Sequence, residues 1–283
     1  MIESQIDWSD VWKSQMGTYI ELNNGRDCVS WWDDKEEATN YWKMVKSEVD
    51  FIDNLIGGMK ISPKFRVLDV GAGPGTLAIP FAKKVDHVTA VEPAKSMARV
   101  LEGNIKELEI PNTDCVQKRW EDIDVETDLK APYDLVIASF SLGMIDIKAA
   151  IQKMMDASSK YVYLAWFAEE PSWDAHYRDL CTALYGTATY QPMPKSDVLF
   201  NVLYQMGIYP NVTVFPLEMF HQFPSFDNAV DYFSGHFQIA TDLQESVLRT
   251  FLQQVLKENK GYQDLRYYSL NMLMWWDKTA SYR

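Results

Sequence analysis

The chain has 283 residues, 47% of them apolar, with 40 acidic against 27 basic side chains and a formal net charge of −13. That apolar share sustains a packed core and excludes a disordered chain. The acidic balance disfavours phosphate backbones and anionic lipid heads as partners. No apolar run reaches the ~18 residues that a membrane span needs, and the N-terminus lacks the basic and apolar regions of a secretory leader. Cys28, Cys115 and Cys181 form neither a CxxC pair nor a disulfide framework. The expectation is a cytoplasmic protein with reduced thiols and neither nucleic acid nor membrane as partner.

Residues 1–60 read as a helical cover. Asp33 or Asp34 caps a helix with Glu36 and Glu37 in its first turn. Ala38, Tyr41, Trp42, Val45, Val49, Ile52 and Ile56 then recur at spacings of three and four, predicting one amphipathic helix that ends at Gly57-Gly58. From Phe65 the pattern changes to short apolar runs alternating with helical stretches. Strands are predicted at Phe65–Val70, Val88–Val91, Asp114–Gln117, Tyr133–Ser139 and Tyr161–Phe167, with helices at Thr76–Lys84, Ala94–Leu108 and Ile147–Ala157. Such alternation implies βαβ crossovers and a parallel sheet, hence an α/β doubly wound fold. Beyond Glu170 the alternation loosens. Helices are predicted at Trp173–Tyr185, Ser196–Met206 and Phe226–Phe237, and one from Asp242 with Glu245 closing a capping box. Strands are predicted at Val212–Leu217 and Tyr267–Trp276. No Pro/Ser-rich linker interrupts the chain, so 1–283 is taken as one domain: cover 1–60, core 61–170, a helical acceptor-side elaboration 171–260, and a last strand within 261–283.

The densest chemical signal is Val67-Leu68-Asp69-Val70-Gly71-Ala72-Gly73-Pro74-Gly75-Thr76. An apolar strand that runs into glycines and then a helix marks a ligand loop at the carboxyl end of a strand. Glycine is required where Cβ atoms block a tight turn or the approach of a ligand to backbone. The spacing is GxGxG, whereas the dinucleotide fingerprint is GxGxxG. Asp69 also stands two residues before the first glycine, where it repels a pyrophosphate but favours a ligand bearing an ammonium and a sulfonium. That preference is worth about a kcal/mol or more when the site is partly buried. Glu92 closes the second strand, 21 residues after Gly71, where a carboxylate accepts hydrogen bonds from both hydroxyls of a ribose. Pro93 is read as starting the next helix, where its missing N–H costs nothing.

Residues Val67–Thr76, Val88–Met97 and Tyr133–Ser139 together resemble the first, second and fourth motifs of class I S-adenosylmethionine-dependent methyltransferases. The resemblance covers about residues 60–170. It implies a mostly parallel, Rossmann-like seven-stranded sheet with an antiparallel last strand, and S-adenosyl-L-methionine as cofactor. By position it places Asp69, Gly71, Ala72, Gly73 and Gly75 around the methionine part, Glu92 with Pro93 at the ribose, and Met97 against the adenine. Where the family presents an Asp after the third strand, this chain has Lys118-Arg119-Trp120-Glu121-Asp122. Trp120 is accordingly expected on the adenine face, with Glu121 or Asp122 accepting from its edge; ordinary core packing is the other reading of Trp120.

Methyl transfer from a sulfonium is an in-line displacement driven by placement and desolvation, so no catalytic residue is obligatory. The loop after the fourth strand, Ala138-Ser139-Phe140-Ser141-Leu142-Gly143-Met144, lacks the Asp/Asn-Pro-Pro-aromatic signature of DNA and glutamine methyltransferases. Ser139 is expected to border the cofactor, and Ser141 to be structural. No His/Cys/Asp cluster has metal-ligand spacing. His176 and His221 are candidate bases, with packing the favoured role for both. Core packing also accounts for Trp31-Trp32, Tyr41-Trp42 and Trp275-Trp276, with an aromatic acceptor pocket beneath the N-terminal clusters as the alternative. The leading reading is a methyltransferase with a small-molecule acceptor. Competing readings are a protein or tRNA acceptor, and a non-catalytic binder of the same cofactor.

Overall fold

The computed structural model of the chain describes residues 6–23, 25–46, 49–186 and 191–280. Four helices come first: α1 (Trp8–Leu22), α2 (Cys28–Trp32), α3 (Lys35–Val45) and α4 (Val49–Gly57). The core follows as β1 (Arg66–Val70), α5 (Ala78–Ala82), β2 (His87–Val91), α6 (Lys95–Glu107), β3 (Thr113–Val116), a 3₁₀ turn (Trp120–Asp122), β4 (Tyr133–Ser139), α7 (Ile147–Ala157) and β5 (Ser158–Phe167). The remainder is α8 (Ser172–Tyr185), α9 (Ser196–Gln205), β6 (Asn211–Phe223), α10 (Phe226–His236), α11 (Asp242–Val255), β7 (Leu256–Asn259) and β8 (Tyr262–Asp277).

The strands form one sheet in the order β3-β2-β1-β4-β5-β8-β6, with β7 also paired to β8. β1 to β5 are mutually parallel. β8 runs antiparallel to both β5 and β6, so along this seven-strand path it alone is reversed. This is the expected doubly wound, Rossmann-like architecture. The order reverses between β1 and β4, and at such a switch point the carboxyl ends of the strands open a crevice for a ligand.

Apolar side chains on both faces explain why the parallel strands are continuous hydrophobic runs. On one face Leu68, Val70, Val136 and Ala138 pack with α7, with Leu199 and Val202 of α9, and with Trp12 and Met16 of α1. On the other, Val67, Ala90, Leu135 and Ile137 pack with Phe81 of α5, Leu101 of α6 and Ile56 of α4. A third cluster joins Leu180 of α8, Val230 of α10 and Leu248 and Leu252 of α11 to Phe223 and Leu265. It covers the part of the β6–β8 ribbon that runs past the end of β5, which reaches only Asn271 of β8. We call this part the cap.

Four boundaries differ from the sequence expectation. The single helix expected through Ile56 is two, because α3 closes at Lys46, whose N–H donates to Trp42 O. The capping box of α11 is Thr241 with Gln244, one residue ahead of the expected Asp242–Glu245 pair. Segment 171–260 is less helical than expected, since β6 extends to Phe223 and β7 folds back on β8 through Lys260 and Gly261, both at positive φ. Finally, Pro93 does not start α6, which begins at Lys95 with Ala94 as N-cap.

Candidate functional site

The link between β1 and α5 is built from three left-handed glycines, each for a different reason. Gly71 (φ +73°) passes so close to the β4 loop that a Cβ there would stand 2.3 Å from Ser141 Cβ. Gly75 (φ +97°) is crowded by Leu101 and Ile79, within 2.8 Å of an added Cβ. Gly73 (φ +57°) faces open space, so its missing side chain keeps backbone accessible. The N–H groups of Gly71 and Ala72 donate to Val91 O at 2.7 and 3.0 Å, which pins the loop to the end of β2.

Two carboxylates meet at this loop. Glu92 Oε2 accepts the Gly73 N–H and Oε1 the Ala94 N–H, both at 2.8 Å. Each oxygen retains a second lone pair for a further donor. Asp69 is 2% exposed and its Oδ2 has no hydrogen-bond partner among the described residues. Burial, helped by the nearby Glu92 charge and opposed by the Ala78 N–H, pushes Asp69 up to about 7. Burial likewise raises Glu92 to about 7, against the pull of its two N–H donors. Neither carboxylate forms an ion pair among the described residues. Two buried like charges lacking a counter-cation disfavour an anionic ligand and favour a cationic one.

The N-terminal helices close over the loop. Asp33 Oδ1 accepts the Ser96 N–H at 3.2 Å and Asp33 O accepts Ser96 Oγ at 2.7 Å, supplying the cap that Ala94 lacks at α6. Met97 packs with Ala38, Ala94, Trp32 and Tyr41 under this cover. Burial raises the Tyr41 hydroxyl to about 12, with the Thr76 hydroxyl of the loop acting the other way. Arg119, just before the 3₁₀ turn, pairs with Asp27 at 2.6 Å. A Cβ added at Gly143 would lie 2.9 Å from Cys28 Sγ, so α2 also rests on the β4 loop.

Asp69, Gly71, Ala72, Gly73, Gly75, Glu92 and Pro93 therefore converge at the ends of β1 and β2. Ser139 is the half-buried last residue of the adjacent β4. Ser141 donates to Val70 O at 2.5 Å, a scaffold bond at the closest point of the loop. Trp120 takes the core place that its sequence context left open beside the adenine one. Its ring is 2% exposed within the same cluster as Leu129 and Ile151, and Nε1 donates to Ala150 O at 3.1 Å. Glu121 and Asp122 lie on the exposed side of the 3₁₀ turn. His176 and His221 sit in the cap among aromatic rings, and burial lowers His221 to about 4. Trp275 stacks on Tyr163 at 5.5 Å and Trp276 is buried, whereas Trp31 is 37% exposed against His236. Ser141 takes the structural role expected of it, whereas the contributions of Asp33 and Tyr41 at this site are not legible in sequence, because each acts through a partner far away.

Comparison with known proteins agrees with this geometry. Residues 67–160, spanning the loop, both carboxylates and β4, match the family model described as a methyltransferase domain. An uncharacterized protein of Haemophilus influenzae is 24% identical over 197 residues, covering 67% of each chain. Among solved structures, YcgJ from Bacillus subtilis superposes with a TM-score of 0.55 at 16% identity, over 81% of this chain and 98% of its own. A methyltransferase candidate from Bacillus halodurans gives 0.55 at 14% identity, over 81% and 99%. At these identities the likeness is one of fold.

Proposed function

We propose that this chain, a member of the class I methyltransferase family, binds S-adenosylmethionine and transfers its methyl group to a small-molecule acceptor. The observation that carries the reading is the orphaned Asp69 Oδ2 beside Glu92, two buried carboxylates with no cation of their own. An ammonium-bearing donor fits that deficit; a pyrophosphate does not.

In this reading Asp69 takes the ammonium of the methionine part, and the backbone of Gly71, Ala72, Gly73 and Gly75 lies against it. Glu92 uses its free lone pairs for the ribose hydroxyls, held in place by Gly73 and Ala94. Pro93 and Met97 bound the adenine side under the cover, with Glu121 at its edge. Trp120 supports that wall from the core, and Ser139 borders the methyl end. The bound cofactor supplies an already activated methyl group, so the protein's part is to align the acceptor and exclude water.

The small-molecule acceptor is supported by the aromatic lining that cover and cap share. Phe140 of the β4 loop is 5.1 Å from Phe167 and Phe167 is 5.5 Å from Trp173. Trp173 is in turn 6.0 Å from Tyr267, and on the cover side Trp31 is 4.8 Å from His236 of α10. Such a lining suits a compact apolar body better than a flexible polymer. The net charge of −13 also disfavours tRNA. Incubating cell extract with methyl-labelled donor and sorting the product by mass tests this. Label in the low-mass fraction is expected; label confined to protein or RNA would overturn the small-molecule reading.

A further inference from the structure

Several acids around the cover–cap junction are matched with cations. Asp27 pairs with Arg119 at 2.6 Å, Glu170 with Arg178, and Asp174 with Lys195 at 3.6 Å. Glu37 of α3 has no cationic partner among the described residues; its two carboxylate oxygens accept only the Tyr232 hydroxyl, at 2.9 and 3.1 Å. It is nevertheless half-buried at the junction rather than free in solvent. An uncompensated carboxylate in that setting is unfavourable in the free protein and becomes favourable when a cation arrives.

The surroundings match a cation bonded to carbon. Tyr232 is 5.1 Å from His221 and 6.2 Å from His236, which is 4.8 Å from Trp31. Tyr267 lies near enough to feel the Glu37 charge, which helps raise its hydroxyl. Trp31 is exposed and Tyr232, Tyr267, His221 and His236 are half-buried, so each ring keeps some accessible surface although the rings also pack on one another. Burial lowers both histidines, so they hold back from adding positive charge, and Arg26 is a cation near enough to His236 to lower it further. Tyrosine and tryptophan faces attract organic cations through their quadrupoles. The same inner face of β8 also carries Asn271, fully buried, whose Oδ1 has no donor among the described residues.

α3 connects this cage to the cofactor loop. Tyr41, which feels Thr76 of the loop, stands about one helical turn from Glu37, so the two positions are about 6 Å apart along the axis. α3 thus carries the Glu37 site and a residue of the cofactor-loop cover on one helix. Resting on the methyltransferase reading above, we infer that the acceptor is a small organic amine whose ammonium docks on the Glu37 carboxylate within the Trp31–Tyr232–Tyr267 aromatic cage.

Calorimetric titration of the full chain, saturated with S-adenosylhomocysteine, tests this with two probes of one skeleton: 2-phenylethylamine, charged at neutral pH, and 2-phenylethanol, neutral. The wild type should bind the amine tighter than the alcohol by about tenfold or more, as expected for a desolvated charge on a carboxylate and ring faces. Glu37→Gln keeps an acceptor for Tyr232 and removes the charge, so the amine preference should vanish with S-adenosylhomocysteine affinity unchanged and the melting temperature no lower. Tyr232→Phe keeps the charge, so it should keep the preference. Equal binding of both probes, no binding of either at millimolar concentration, or a preference that survives Glu37→Gln would overturn the proposal. Failure of S-adenosylhomocysteine itself to bind would instead sink the cofactor reading on which it rests.

Discussion

Gly71 and Ser141 meet where the first crossover passes the β4 loop: a Cβ on Gly71 would lie 2.3 Å from Ser141 Cβ, and Ser141 Oγ donates to Val70 O at 2.5 Å. The contact is backbone against the root of a side chain, so no rotamer change relieves it. Gly71 also has a φ of +73°, which a residue with a Cβ adopts only at a cost.

Gly71→Ala should therefore destabilise the fold by about 2 kcal/mol or more, the sum of a positive-φ penalty and overpacking. Ser141→Gly removes the facing Cβ, so the double variant should recover part of the loss despite the missing bond to Val70. Denaturant unfolding of the four proteins measures the coupling. Additive losses would show that the contact does not limit the loop.

Asp69→Asn separates stability from binding. The carboxylate is 2% exposed with an orphaned oxygen, so removing its charge should leave the ligand-free protein as stable or more stable at pH 8, by on the order of 1–3 kcal/mol. Affinity for S-adenosylhomocysteine should fall by about tenfold or more, as a charge-assisted contact is lost. A variant that is destabilised yet binds normally would assign Asp69 to the scaffold.

The raised carboxyls also set a pH dependence. Asp69 and Glu92 sit near 7 in the folded chain against ordinary values of 3.8 and 4.5. Through that window the folded chain holds protons that the unfolded chain has released, so their contribution to stability falls as pH rises and levels off above about 7. Unfolding without ligand, run in parallel on the wild type and Asp69→Asn, isolates the effect: the wild type should decline more steeply. A wild-type slope equal to or shallower than that of Asp69→Asn would contradict the assignment. Binding of a cationic ligand favours the ionised carboxylates, so protons should be released on binding near pH 7.

Trp120→Phe tests the core role of that ring. It removes the 3.1 Å bond to Ala150 O, a carbonyl that stays within the α7 helix ladder, a change costing on the order of 1 kcal/mol beyond the lost ring packing. Cofactor affinity should change by no more than about twofold if Trp120 acts only as support. A large drop in affinity at unchanged stability would return the ring to the adenine face.

The parts of this fold legible in sequence are those enforced by local chemistry. The glycine loop could be read because left-handed backbone leaves little choice of residue, and β1, β2, β4 and β5 because strands buried on both faces are written almost wholly in apolar letters. β7 is Leu256-Lys257-Glu258-Asn259, with three exposed polar residues of four, and it exists only because Lys260 and Gly261 turn it onto β8. At the start of α11 the sequence reading pairs Asp242 with Glu245, whereas the structure pairs Thr241 with Gln244, a one-residue shift that only geometry decides. Glu37 looked like its neighbour Glu36, an acid favoured in the first turn of a helix. What distinguishes it is Tyr232, 195 residues away, which no local pattern could reveal. Trp120 was ambiguous for the same reason, since an indole beside an acid suits a core as well as a nucleobase.

The most direct measurement is calorimetric titration of the full-length protein with S-adenosylhomocysteine and, separately, with NAD. Saturable one-to-one heat with the former and none with the latter is the predicted result. Saturation by NAD with no response to S-adenosylhomocysteine would mean that the buried Asp69–Glu92 pair does not await a cation, and the functional account would fall with it.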